Sequence, residues 1–460
     1  MTDTRLESSF ASAAPTAARR SPLDRVLGIV TEVHAGEGVT AVLLGLALFL
    51  LLMAYYIIKP VREALILLHP AGAEYKSWMG AAIAMMLLVL VPAYSKLADR
   101  LPRNRLVVGV TLFFASHLVM FAVANLAGVG DSLWLALVFF IWVGIFNMML
   151  VAQLWAFAND IYDQERGKRL FVIVGLGASF GAIAGGVVTS VLSRMLHNAH
   201  ILLVSAAALV CVAGLTQAVH RRESAAALRK SSKPPEPEQH DTSSGFSLVL
   251  RHRYLTLIAA FSLVYTFVNT NGEYMLSKLI KAAAVLELPG GSSAEIGAFI
   301  GAKYNALFTW VNVLSFLMQF VVVSRLVKRL GFSAAFLIFP VISLIDGMAV
   351  AIAPVLAVLF VGKIAENSTD YSLNNTLRQM LWLPTTRDMK YKAKQAVDAF
   401  FIRMGDVASA GWVVVATTLL PFGVRGFAIT NIVLVGVWLW LGWAISRHFR
   451  QMAPDQAPAA

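Results

Sequence analysis

Long apolar runs recur along the whole chain, and they decide what it can fold into. They fall at 39–60, 77–95, 106–126, 132–157, 170–193, 200–219, 254–277, 298–323, 332–352, 355–380, 396–420 and 425–446. About 20 such residues in an α-helix cross the hydrocarbon core of a bilayer. Inside that core each run must satisfy its own backbone amides, which leaves only helices or a closed barrel. The runs are too long and continuous for the short alternating strands of a barrel. The expected fold is all-α and polytopic, with 12 transmembrane helices. Charge content agrees: 14% of the 460 residues are charged, against about 25% in soluble domains. The single cysteine, Cys211, cannot form an internal disulfide and is expected to be a small core residue.

The Lys and Arg residues behind the net charge of +12 cluster in short loops, so the charge reads as topology and not as a nucleic-acid surface. Basic clusters mark every second loop: Lys96 to Arg105, Arg166 to Arg169, Arg221 to Lys233, Arg325 to Arg329, Arg387 to Lys394, and Arg447 with Arg450. The positive-inside rule then places both termini in the cytoplasm, in a membrane expected to be the bacterial cytoplasmic (inner) membrane. The first 36 or so residues lack the apolar core of a signal peptide, and Leu23 to Val33 is expected to form a short amphipathic helix at the interface. Residues 233–238 read Lys-Pro-Pro-Glu-Pro-Glu, a flexible connection. The expected organisation is an N-terminal segment at 1–38, a six-helix half at 39–219, a linker at 220–250, a second half at 251–446 and a tail at 447–460.

Two six-span halves joined by a cytoplasmic linker is the major-facilitator plan, in which substrate binds near the midplane between repeats. Leu154-Trp155 and Leu381-Trp382 close corresponding spans before charged loops, which relates the halves. Ser95 to Arg105 resembles that superfamily's loop motif, with Asp99, Arg100 and Arg103 as expected elements of a cytoplasmic gate. Asp398, Arg403 and Asp406 are expected to face it as the other side of the gate. The glycines of 175–186 are not preceded by a strand, so they read as small residues for close helix packing and not as a dinucleotide site.

Ionisable side chains at bilayer depth are expensive, and so mark partners, wet cavities or function. Span 1 ends in Lys59-Pro60-Val61-Arg62-Glu63. Lys59 and Arg62 share a face, and Glu63, one turn from Lys59, is positioned either to pair with it or to serve coupling. Span 7 carries Asn269 and Glu273, with Lys278 and Lys281 expected in the outer loop. Span 10 carries Lys363, Glu366 and Asp370, with Asn374 and Arg378 continuing a polar stripe. Packing is the default role for Trp155, Tyr304, Trp310, Tyr371 and Trp382, although each has a face on which a base can stack.

The chain resembles the ATP/ADP translocase-like (NTP/NDP exchanger) family, relatives of the major facilitator superfamily. The resemblance is carried by Tyr55 to Leu65, by Leu154 to Asp160 with Gly167 to Phe171 and Gly175 to Ala178, and by Lys390 to Asp398. It implies transport-critical charges at Arg62, Glu273 and Arg378. Two of these three matches are Arg where the exchangers use Lys, and the acid those exchangers hold in span 4 has no counterpart between Val143 and Gln153.

No P-loop, zinc spacing or nucleophile–base set occurs, so neither an enzyme nor an ATP-driven pump is expected. The leading reading is a secondary transporter of an anionic solute, nucleotide or otherwise phosphorylated, with ATP/ADP one candidate, by exchange or proton coupling. Lys59, Arg62, Asn269, Glu273, Asn374 and Arg378 are its expected substrate contacts, with Arg62 and Arg378 holding the anion from opposite halves. Glu63, Glu273, Lys363, Glu366 and Asp370 are the expected coupling or ion-pair residues. No cofactor or metal is expected, lipids are the other partners, and a monomer is expected. Two alternatives stay open: a carrier of phospholipid-like amphiphiles or drugs, and a non-transporting sensor.

Overall fold

The computed structural model describes residues 21–452 except 99, 131, 163, 228–244, 387 and 388. Every regular element among these residues is a helix. A six-residue helix, α1 (Pro22–Leu27), opens the chain; Ser21 and Asp24 cap each other's backbone in a capping box. It ends at Gly28, so the expected helix to Val33 stops short, although Val26 and Ile29 are exposed. Then follow α2 (Gly38–Leu67), α3 (Gly72–Ala98), α4 (Arg103–Ala124), α5 (Leu133–Ile161), α6 (Gln164–Met195) and α7 (Asn198–Ala227). Beyond 228–244 come α8 (Gly245–Arg251), α9 (Arg253–Glu287), α10 (Ser293–Leu317), α11 (Val323–Ile352), α12 (Leu356–Thr369), α13 (Asn375–Met380), α14 (Lys394–Ala396), α15 (Ile402–Thr418) and α16 (Val424–Met452). The stretch expected as a linker is therefore helical at both flanks, in the end of α7 and in α8.

Ten helical runs among the described residues are long and apolar enough to cross a membrane. The expected spans 298–323 and 332–352 share one run of 60 residues, Ser293–Ile352. At 1.5 Å per residue that run is about three hydrocarbon cores long. It breaks at Gly331, where φ of 71° suits a residue without Cβ. The expected span 355–380 falls on α12 and α13, joined by a π-helical turn at Asp370–Asn374; its polar stripe keeps it out of the apolar ten.

The glycines of α6 let it pack backbone to backbone on α2. A Cβ at Gly177 would stand 2.2 Å from the Gly45 carbonyl, and one at Gly181 would stand 2.2 Å from that of Phe49. The sequence expectation of close packing by small residues is met here. The outer surface is apolar, with Met120, Trp134 and Val361 among its exposed side chains, as lipid requires. Cys211 is also exposed, which corrects its expected place in the core: it lies on an outward face of α7.

The helices before and after 228–244 meet where α2 and α6 pack on α10 and where α3 packs on α9 and α15. One end of the bundle carries α1, the end of α7, α8 and the end of α16, and is called here the terminal end. At that end Arg169 lies 3.0 Å from Glu37 and Arg166 3.4 Å from Glu223, tying the starts of α2 and α6 to the end of α7. Burial alone would raise the Glu37 carboxyl, but donors from Arg169 and His34 hold it below its ordinary value.

Candidate functional site

Six helices converge on a cavity of about 260 Å³ lying between the two groups of helices. Helices α2, α3 and α5 supply Lys59, Arg62, Glu63, Lys76 and Phe140; α9, α10 and α12 with its π-turn supply Asn269, Thr270, Glu273, Phe308, Asn367 and Tyr371. Three cations and two acids line it, a formal excess of one positive charge (3 − 2).

The acids are claimed first by Lys76. Its Nζ lies 2.9 Å from Glu63 and 3.4 Å from Glu273, and it donates to the Tyr304 hydroxyl at 3.1 Å. Tyr304 is itself tied to Ser277 at 2.8 Å. Glu63 also pairs with its neighbour Arg62, whose guanidinium stacks 4.3 Å over the Phe140 ring. Glu273 is shared with Lys363, 3.7 Å away. Lys363 is fully buried, lies 3.1 Å from Glu366 and donates to Asn269 at 3.0 Å.

Lys59 is different. Among the described residues it has no ion pair within 4 Å and no hydrogen bond. Its ammonium instead sits 3.7 Å over the Phe308 ring, with the Tyr56 and Tyr55 rings at 5.4 and 5.7 Å. Aromatic faces stabilise a desolvated ammonium without neutralising it. The Lys59–Glu63 pairing that the sequence spacing allows is not made, because Glu63 turns to Arg62 and Lys76.

Lys59, Arg62, Glu63, Asn269 and Glu273 are thus brought together. Asn374 and Arg378 are not. Arg378 lies eleven residues beyond Asn367, about 16 Å along the helix, at the terminal end. It faces Asp398 at 3.6 Å and the Tyr265 ring at 5.3 Å. Arg62, five residues from the end of α2, lies near the opposite end. The pair therefore does not clasp one volume from two sides, as the sequence reading had it. Asn374 is buried and donates to Asp370 at 2.7 Å, and Tyr265 donates to the same carboxyl at 2.6 Å. Asp370, expected as a coupling or ion-pair residue, thus accepts hydrogen bonds from two neutral side chains.

The charges expected at a gate border a second cavity, of about 740 Å³, between the two groups of helices at the terminal end. Arg103, Asp398 and Arg403 line it, and their ion pairs stay within each group: Arg103 with Asp160 at 2.7 Å, Asp398 with Arg378, and Arg403 with Asp406 at 3.2 Å; across the groups Arg403 donates to Met148 Sδ at 3.3 Å. Asp406 is also bonded by Thr270 at 2.8 Å. Arg100 is exposed, and Asp99 lies outside the described residues.

The opposite end is latched. Lys278 and Lys281, expected in a loop, are in α9. Lys278 lies 2.8 Å from Glu74, and Tyr274 donates to the same carboxyl at 3.0 Å. Lys281 donates to the carbonyls of His69 and Pro70. Lys76 and this latch escaped the sequence reading because α3 begins at Gly72, one turn before the apolar run at 77.

The comparisons with known proteins fit this architecture. The chain is 23% identical to "ADP,ATP carrier protein 2, chloroplastic" of Arabidopsis thaliana, over 90% of its own length and 75% of that protein's. It is 22% identical to "ADP,ATP carrier protein 1" of Chlamydia trachomatis serovar D, over 94% and 93%. Its fold matches the crystal structure of nucleoside transporter NupG with a TM-score of 0.61 at 11% identity, covering 89% of this chain and 99% of that one. A bacterial homologue of iron transporter ferroportin in inward-facing state matches with a TM-score of 0.60 at 15% identity, over 88% and 98%. The Major Facilitator Superfamily profile matches residues 44–383. With that match over most of its length and that fold, the chain belongs to the major facilitator superfamily.

Proposed function

We propose that this protein is a secondary transporter that exchanges nucleotides, with ATP and ADP the first candidates, by alternating access. The observation that carries the reading is Lys59: a buried ammonium in an aromatic cage, without an ion-pair partner among the described residues, beside a cavity with excess positive charge. A phosphate is the natural counter-charge for Lys59 and for the fork of Arg62. Phe308 and Tyr371 offer ring faces for a base. Similarity to carriers named for ADP and ATP supports the same cargo.

The cavity is smaller than the roughly 300–1,000 Å³ of most ligand sites. In this reading the substrate's phosphates replace Glu63 and Glu273 as partners of Arg62 and Lys76, and the cavity widens as those pairs part. Twelve crossings in two halves, 39–219 and 251–446, form a monomer in the bacterial cytoplasmic membrane with both termini inside, in line with the basic loops. The latched end then faces outward and the 740 Å³ cavity faces the cytoplasm.

The test is uptake of labelled ATP into liposomes loaded with ADP, with and without a pH gradient. Uptake that requires internal ADP is expected. Absence of uptake under both conditions overturns the nucleotide reading and moves the search to other phosphorylated solutes.

A further inference from the structure

Asp346 lies in an apolar stretch of α11, six residues before its end at Ile352, and none of the roles described so far uses it. It is 8% exposed. Among the described residues it accepts no hydrogen bond and has no ion pair within 4 Å. It sits at an apolar groove of about 560 Å³ between α11 and α12 that opens on the outer surface past Ile345 and Val361, and the other side chains lining the groove are aliphatic. The carboxyl fits there because α12 has Gly362 opposite: a Cβ at that position would fall 1.6 Å from Asp346 Oδ1. A lone carboxylate in such a place is costly at bilayer depth, and the cheapest relief is a proton.

The neighbouring charges extend the argument. Those acting on Asp346 are Glu366 and Lys363, both on α12. From α16, Ile432 and Ala428 face the adjacent Gly347, while Arg425 bonds the Ile352 carbonyl at the end of α11. Asp370 and Arg378, further along the α12–α13 helix, are turned to Tyr265 and Asp398. Lys363 therefore serves Glu366 at 3.1 Å, Glu273 at 3.7 Å and the field of Asp346. Around cavity and relay together, four cations (Lys59, Arg62, Lys76, Lys363) face four acids (Glu63, Glu273, Glu366, Asp346). One proton on Asp346 restores an excess of one positive charge next to the anion site.

We propose that Asp346 is a proton-binding carboxyl, set against Gly362 of α12 beside the Lys363–Glu366 pair and joined through Lys363 to Glu273 and the charged cavity, so that one proton is taken up with each anion bound. The proton adds to a carboxylate oxygen to give the neutral acid. Lys363, relieved of one acid, then interacts more strongly with Glu273, whose hold on Lys76 loosens. The proton site stands on its own geometry; its coupling to solute rests on the transport reading.

Two measurements separate these parts. The first is pH-difference infrared spectroscopy of the purified full-length protein without substrate. A titrating carboxylic-acid C=O band is expected, lost in Asp346→Asn, retained but shifted in Asp346→Glu, and altered in Glu366→Gln. A spectrum of Asp346→Asn that matches the parent overturns the proton site. Each variant is first required to elute as a single species, and an unshifted band in Asp346→Glu overturns it if Asp346→Asn does not fold. The second is proton uptake, read with a pH indicator, when ATP is added to the purified protein in weak buffer above the last pKa of ATP, where about one proton per nucleotide bound is expected and Asp346→Asn abolishes it. Binding of ATP by the parent protein with no proton uptake overturns the coupling. If nucleotides are not transported at all, the infrared result still decides the proton site.

Discussion

Lys76 Nζ stands 2.9 Å from the Glu63 carboxyl of α2 and reaches Glu273 of α9 at 3.4 Å, so one ammonium ties acids from both groups of helices. Removing it strands the buried Glu63 and the partly buried Glu273 with fewer cations. Breaking a buried ion pair from one side costs about 3–5 kcal/mol. Lys76→Gln is expected to lower the thermal unfolding temperature in detergent markedly. Adding Glu273→Gln to that variant is expected to recover part of the loss. A double-mutant cycle measures the coupling; additive effects refute the shared pairing.

Lys59 and Arg378 separate affinity from turnover. Lys59 breaks no ion pair when neutralised, so Lys59→Gln is expected to unfold near the parent temperature. It removes a phosphate partner, so the KM for labelled nucleotide is expected to rise about tenfold, or about 1.4 kcal/mol. Arg378 lies outside the 260 Å³ cavity and faces Asp398. Arg378→Gln is therefore expected to slow exchange with KM within about twofold of the parent, a change of less than about 0.5 kcal/mol. A large KM effect there places Arg378 on the substrate after all.

Asp24 gives the terminal end a titratable lock. Burial alone would raise its carboxyl, but donors from Ser21, Gly36 and Gly38 outweigh it and hold the group at about 2. Because the folded value lies below the unfolded one, the stabilisation is present above about pH 4 and fades as pH falls toward 2. Amide exchange at Gly36 and Gly38 is expected to accelerate over that window. In Asp24→Asn it is expected to be fast at all pH values.

The charges legible in the sequence were those whose burial is costly: Lys59, Arg62 and Glu273 stand out in apolar runs and do meet. Spacing showed which face each residue takes but not how deep it lies. Asn367, Asp370, Asn374 and Arg378 share a stripe, yet the stripe runs from the cavity to the terminal end, and only its first member lines the cavity. Lys76 was hidden because hydropathy began its span at 77 while the helix begins at Gly72. Asp346 carried a signal that was not used, a single acid in the run Leu344-Ile345-Asp346-Gly347. The partner of Glu63 is set by a side chain from another helix, which no local periodicity encodes.

The latch at the end opposite the termini predicts where access is controlled. Glu74 is held by Lys278 at 2.8 Å and by Tyr274 at 3.0 Å, and Ser77, less than one turn beyond Glu74 in α3, is buried beside the cavity. Cys211 is the single native cysteine, so Ser77→Cys in a Cys211→Ala background reports on this site alone. A membrane-impermeant maleimide is expected to label it slowly in the latched protein. Exposed ion pairs contribute up to about 1 kcal/mol, with more expected where one partner is half-buried. Adding Glu74→Gln is therefore expected to raise the labelling rate about threefold to tenfold, and Lys278→Gln to do the same. Unchanged rates in both variants refute the assignment of this cluster as the closing contact, and a matching rise with lowered exchange identifies latch formation as a step in the transport cycle.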